Sequence, residues 1–393
     1  MLLTIITFII VLSVLVFAHE LGHFMMARKF GVKAEEFGLG FPPRACGFYK
    51  NNQGKWKHIF GKKDVTDCQS TIYSINWLPL GGFVKIKGEN GALADSEREE
   101  DQDSFAGKKI WQRAFMLSAG VAMNIILAAV LITVGFMIGF PQALGEQLNA
   151  RAHISDKKIQ IVQVMENTPA ASAGLQAGDA IISIDNNSFL NYQELQNYVA
   201  SNIGNKLAYK IKRDQDLIEA NIIPELMPKT NKAGVGIAIT ETGIVSYPWY
   251  LAGIEGVKTT FILIWAIIAA FYELIKGLIL GHGITADLTG PVGIATLTGQ
   301  VAHMGFVYLL QFTALLSINL AVINFFPFPA LDGGRMLFLI IEKIKRSPVK
   351  KEVEATIHNI GFALLMVLVV FVTFRDVARF GNVFKNIWEK IAG

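Results

Sequence analysis

The chain has 393 residues, 52% of them hydrophobic and only 17% charged, with a mean hydropathy of +0.40. That balance argues against a soluble enzyme and fits a chain that crosses a membrane several times. A dispersed net charge of +4 leaves no case for nucleic-acid binding, and the only two cysteines, Cys46 and Cys68, cannot supply a disulfide framework.

Residues 1–18 carry no charge and only Thr4, Thr7 and Ser13 as polar side chains, about the length a tilted spanning helix needs. Val16-Phe17-Ala18 loosely meets the small-residue rule of a signal-peptide cleavage site. There is no basic n-region, however, and cleavage there would expose the motif that follows, so residues 1–30 are expected to remain as a first transmembrane helix. The motif is His19-Glu20-Leu21-Gly22-His23. Histidines four apart on a helix project from one face toward one metal, and Glu20 stands beside them to take a proton from water. Three titratable groups at membrane depth cost several kcal/mol each unless something holds them.

Residues 31–110 follow as a segment expected in the cytoplasm, in which Cys46 and Cys68 are expected as reduced thiols; with His58 between them but no CxxC pair, a second metal site has little support. Residues 111–141 predict a second span. Residues 156–241 read as a small mixed α/β domain: 159–164 alternate like a strand, Gly178-Asp179 turns into a strand over Ala180–Ile184, and Asn186-Asn187 marks another turn. Asn191 with Glu194 has capping-box spacing for a helix through Ser201, and Asp214-Gln215 separates two strand-like runs.

Residues 250–282 are apolar but carry Glu255, Lys258, Glu273 and Lys276 on one helical stripe, the pattern of an amphipathic helix lying in the interface. A third span is expected over 303–335, a cytoplasmic helix or loop over 336–356, a fourth span over 357–376 and a tail over 377–393. Residues 27–113 hold fifteen Lys or Arg and 335–351 six more, so both segments are expected in the cytoplasm, with the N-terminus and residues 142–250 outside. A fifth crossing over 251–280 would carry Asp332 to the face opposite His19. Four spans plus the interfacial helix are therefore favoured over five.

The third span ends in Asn324-Phe325-Phe326-Pro327-Phe328-Pro329-Ala330-Leu331-Asp332-Gly333-Gly334. Two prolines at membrane depth break a helix, which is tolerated only where the opened backbone faces protein or a wet cavity. A hydrolytic zinc site takes three protein ligands and leaves one position free. Asp332 is the carboxylate expected to complete the set, and also to cap the helix that follows from Arg335.

HELGH in the first helix together with N-x-x-P-x-P-x-L-D-G in a late one resembles the site-2 protease family of intramembrane zinc metalloproteases, in particular its bacterial RseP-like branch. Phe37-Gly38-Leu39-Gly40-Phe41-Pro42, Leu80 to Lys85 and Ala119 to Asn124 agree with it. The resemblance implies a mainly α membrane fold: four transmembrane helices, a membrane-reentrant β-hairpin region, an inserted PDZ domain and the interfacial helix. It implies His19, His23 and Asp332 as ligands of one zinc ion per chain and Glu20 as general base. Asn324 would help hold the substrate backbone, and the strand at Gly82, Phe83 and Val84 would pair with an unwound substrate. Gly234-Val235-Gly236-Ile237 falls where the carboxylate-binding loop of a circularly permuted PDZ domain would be; the best-known relatives carry two such domains, and this chain one.

The expected reaction is hydrolysis in or near the transmembrane segment of single-span proteins, such as trimmed anti-sigma factors or signal-peptide remnants, in the bacterial inner membrane. Two other readings remain at this point: a membrane-bound HExxH protease of the HtpX-like kind with a cytosolic site, and an inactive PDZ scaffold. The remaining histidines, His153, His282, His303 and His358, are expected to pack at loops and span edges.

Overall fold

A computed structural model describes residues 2–61, 65, 70–89, 103–144, 148–165, 167–213, 216–227, 233–281 and 289–392. Cys68, His282 and the turn at Asp214-Gln215 lie outside them. In chain order the elements are α1 (Leu2–Lys29), β1 (Ala34–Lys50), β2 (Trp56–Phe60), β3 (Ile72–Ile86), α2 (Ile110–Ile138), β4 (Phe140–Ala143), β5 (His153–Val164), α3 (Pro169–Ser172), β6 (Ala180–Ile184), α4 (Tyr192–Ser201), β7 (Leu207–Arg213), β8 (Asp216–Ile222), β9 (Glu225–Leu226), β10 (Ala233–Gly234), β11 (Ile237–Ser246), α5 (Trp249–Ile279), α6 (Pro291–Met304), α7 (Phe306–Phe325), α8 (Asp332–Lys345) and α9 (Lys351–Ala392). They form two compact units, Met1–Ile132 with Gly256–Gly393, and Thr133–Glu255.

Among the described residues five helices, not four, are long and apolar enough to cross a membrane: α1, α2, α5, α7 and the Glu352–Ala378 part of α9. The added one is α5, whose four charges on 31 residues are too few to lower its hydropathy below that of a span. The third expected span is divided. Gly305, at φ 127, interrupts the helix between α6 and α7, a conformation open to glycine and not to residues with a Cβ. At the other end α9 runs without a break through the expected loop, span and tail, because no proline or glycine pair interrupts 351–392.

In the first unit α1 and α2 cross where both present small residues: a Cβ built on Gly22 would fall on the Ala119 carbonyl, the close approach that small residues permit between membrane helices. The sheet order is β2-β1-β3. Both long strands fold back on themselves, so Phe37 of β1 pairs with Val84 on one side and Tyr73 on the other. The 82–86 limb of β3 has no strand on its outer edge among the described residues. Gly81 and Gly82 lie against Val16 and Phe17 of α1, where any Cβ on Gly81 would collide.

The second unit is a six-stranded sheet of order β4-β11-β5-β6-β7-β8 around a core that includes Ile161, Ile184, Leu195, Tyr209, Ile211 and Ile222. Asn191 caps α4 through Glu194 N–H at 2.8 Å. β4 has no alternating pattern to reveal it and joins the sheet by pairing with the last residues of β11. Burial alone would raise the Asp179 carboxyl; hydrogen bonds from Arg213 and from the Gln176 amide outweigh it and hold the group below the usual carboxylate range.

Candidate metal centre

α1 continues helical through the HELGH run, so His19 and His23 face α2 together, each 7% exposed. α7 ends at Phe325, and the two prolines after it turn the chain. Ala330 takes φ 77, a left-handed conformation costly for a residue with a Cβ, and α8 begins at Asp332. The first turn of α8 sits on the carbonyls of Phe325, Phe326 and Phe328. No Cβ fits at Gly333 or Gly334.

Asp332 does not cap α8. Leu331 occupies the N-cap position and no side chain caps there, because Asp332 already has helical backbone and cannot fold back onto its own first-turn amides. Its Oδ2 lies 3.0 Å from His19 Nε2 and 3.3 Å from His23 Nε2, and the two imidazole nitrogens are 3.2 Å apart. Residues 313 positions apart in sequence thus form a nearly equilateral triangle of donors able to hold a metal ion.

The donor set fits zinc. Two ligand atoms at zinc-binding distance from a tetrahedral centre stand about 3.3 Å apart, close to all three observed separations. The outer nitrogens agree. His23 Nδ1–H donates to the Met116 carbonyl at 2.9 Å, which leaves Nε2 free to ligate. Asn124 Nδ2 is 3.2 Å from His19 Nδ1, while Asn124 Oδ1 is buried with no hydrogen-bond partner among the described residues. An imidazole that binds metal through Nε2 keeps its proton on Nδ1 and needs an acceptor, which Asn124 Oδ1 supplies once the carboxamide is turned over. Asn124→Ala is therefore expected to weaken zinc binding about 10–100-fold, measured by competition with a chromogenic chelator. An unchanged affinity would remove Asn124 from the site.

Gly120 makes room for this pair. A Cβ there would fall on His23 Nε2 and on the edge of the His19 ring.

A cavity of about 200 Å³ beside the triangle is lined by Val16, His19, Glu20, Leu320, Asn324, Ala330, Leu331 and Asp332. Glu20 and Asn324 thus share it with two of the three donors. Gly82 meets Phe17, Phe83 pairs with Gly38 and Val84 with Phe37. Val84 also packs beside Phe24 and Ala34. Gly234 to Ile237 lie in the second unit. There Val235 is core, Gly236 has φ 86 against Thr168, and the carbonyls of Val235 and Gly236 already accept the Ala170 and Met165 amides. His153 and His303 are exposed.

Three groups escaped the reading of the sequence as parts of this centre: Asn124, Met116 and His358. Asn124 had a signal, a lone carboxamide in an apolar span. Met116 acts through its carbonyl, which no side chain announces. The Ala330 N–H donates to His358 Nδ1 at 2.8 Å, and Gly361 one turn on leaves space for Pro329; α9 thereby clamps the turn that carries Asp332.

The family model described as Peptidase family M50 matches residues 7–368. The regulator of sigma-W protease RasP of Bacillus subtilis (strain 168) is 31% identical, over 96% of this chain and 98% of that protein. The zinc metalloprotease RasP of Geobacillus kaustophilus (strain HTA426) is 30% identical, over 96% and 98%. Among solved structures, the PDZ domain of an SdrC-like protein from Listeria monocytogenes is 28% identical and covers 22% of this chain and 92% of that one, with a TM-score of 0.21, too low to argue from. A match from before the first histidine of the donor triangle to beyond its carboxylate means that the chain belongs to peptidase family M50, the zinc metalloproteases of the site-2 type.

Proposed function

We propose that this metalloprotease hydrolyses peptide bonds in or next to the transmembrane segment of single-span membrane proteins, with one zinc ion per chain held by His19, His23 and Asp332. The observation that carries the reading is the triangle of two imidazoles and one carboxylate built on apolar helices. Zinc, when bound, acidifies a water and polarises the scissile carbonyl. Glu20, in the same cavity, accepts the proton and returns it to the leaving amine. Asn324 offers its carboxamide to the substrate backbone. The open edge at Gly82, Phe83 and Val84 takes the unwound substrate as an added strand, satisfying amides where water is scarce.

The directions of the helices support four crossings with α5 in the interface. α2 begins beside His23 at Met116 and reaches His19 at Asn124, so it runs opposite to α1. α6 packs Gly299 against Thr4, and α7 then descends to Leu320 and Asn324 at the level of His19, parallel to α1. α2 therefore ends, and α7 begins, on the same side. α6, at about 21 Å, is too short to cross, which leaves α5 to start and finish on that side. With the basic segments inside, the N-terminus and the PDZ-like unit face outward and the metal centre lies near the cytoplasmic leaflet of the bacterial inner membrane.

The Bacillus relative is named for regulation of sigma-W, and single-span anti-sigma-factor-like proteins already trimmed outside, or signal-peptide remnants, are the proposed substrates. The PDZ-like unit would filter them or capture a terminus at Gly234 to Ile237. Treatment of purified enzyme with 1,10-phenanthroline is expected to stop cleavage of a single-span reporter, and zinc added after the chelator is removed to restore it. Cleavage that persists without metal would refute the reading.

A further inference from the structure

Ser13 is one of three polar side chains in residues 1–18, and its hydroxyl is used twice. It donates to the Pro79 carbonyl at 3.1 Å and accepts the Gly81 N–H at 3.3 Å. Both backbone groups lie where β3 folds back on itself, just before its 82–86 limb, and they meet α1 in the middle of its apolar run, where lipid offers no hydrogen-bond partner. Beyond the other end of that limb, the Glu89 carboxylate forms an ion pair with Arg335. Arg335 stands on α8 three residues after Asp332, and Ser13 stands on α1 six residues before His19.

The limb is thus tied at one end to the helix that carries His19 and His23, and at the other to the helix that carries Asp332. Its pairing with β1 holds it less firmly. Gly82 stands opposite Leu39 and Phe83 opposite Gly38, and glycine-rich ladders specify register weakly. Register has a direct consequence here, because a substrate strand added to the open edge takes its position along the metal centre from this limb. A slip of one residue moves the chain by about 3.3 Å, which presents a neighbouring peptide bond, and a misplacement of about 1 Å lowers a rate about 10²-fold. Neither Ser13 nor Arg335 belongs to the donor triangle, and neither lines the 200 Å³ cavity. Their contribution is to place the strand and not to take part in the chemistry.

We propose that Ser13 and the Arg335–Glu89 pair are positioning residues that fix the register of the substrate-binding limb of β3 against the metal centre, and so select which peptide bond is cut. The proposal rests on the strand-addition reading above.

The test uses the full chain in membranes with a single-span reporter whose products are read by mass spectrometry. The wild type is expected to cut one dominant bond. Ser13→Ala and Arg335→Gln are each expected to lower kcat about 10–100-fold and to spread cleavage to bonds one or two residues away, with zinc content within about twofold. Ser13→Thr, which keeps the hydroxyl, and the exchanged pair Arg335→Glu with Glu89→Arg are expected to return cleavage to the single bond. A benzophenone amino acid at Phe83 in the Glu20→Gln background is expected to capture the reporter, and reads the strand addition alone. Phe83 adducts together with one unchanged bond in both Ser13→Ala and Arg335→Gln, or a spread that neither compensating variant reverses, would overturn the register role while leaving the strand reading intact. Absence of Phe83 adducts would remove the strand reading and the proposal with it. A wild type that cleaves no reporter would count against the peptidase reading itself and end both.

Discussion

Glu20→Gln is expected to reduce hydrolysis by about 10²–10⁴-fold, the range of a general base, while zinc stays near one per chain. Glutamine fills almost the same volume and stands outside the donor triangle, so the ligands keep their positions. It cannot accept a proton, and among the described residues no other carboxylate lines the 200 Å³ cavity except Asp332, whose Oδ2 is engaged by both imidazoles. Metal content by mass spectrometry, measured beside reporter cleavage in the same membranes, separates the two effects. A variant that still cleaves at the wild-type rate would assign the base elsewhere.

Asp332→Ala acts on the metal itself. Removing one charged member of a buried cluster costs about 3–5 kcal/mol, which corresponds to about 10²–10⁴-fold weaker zinc binding, and hydrolysis falls with it. The same variant decides between this enzyme and an HExxH protease with a cytosolic site, whose third ligand would be a downstream glutamate and whose zinc would survive the change. It also bears on the scaffold alternative, because a scaffold has no reason to hold stoichiometric metal at this carboxylate. Zinc retained at one per chain in Asp332→Ala would remove Asp332 from the ligand set.

The outcome for α8 illustrates how far local pattern reaches. Pro327 and Pro329 announce a broken helix at membrane depth, and an aspartate after them reads equally as a ligand and as a cap. Only the arrival of α1 decides between the two: the carboxylate turns to His19 and His23, and the cap position goes to Leu331. α5 presents the opposite case. Its composition alone admits it as a span, and the neighbours of α2, α6 and α7 are needed to argue that it does not cross.

His19, Glu20 and His23 were legible in the sequence because a helix fixes their shared face within a single turn, and the apolar run around them makes three polar groups conspicuous. Strands β5 to β8 of the second unit and the cap at Asn191 were legible for a similar reason, since alternation and capping are properties of a few consecutive residues, whereas β4 and β11 were not. Tertiary structure alone decided the service of Asn124 and the Met116 carbonyl to the histidines, the grip of His358 on a strained Ala330, and the clearance above Gly120. Each joins segments dozens to hundreds of residues apart, and no local periodicity encodes which backbone carbonyl or which helix face will meet a given side chain once the helices have packed.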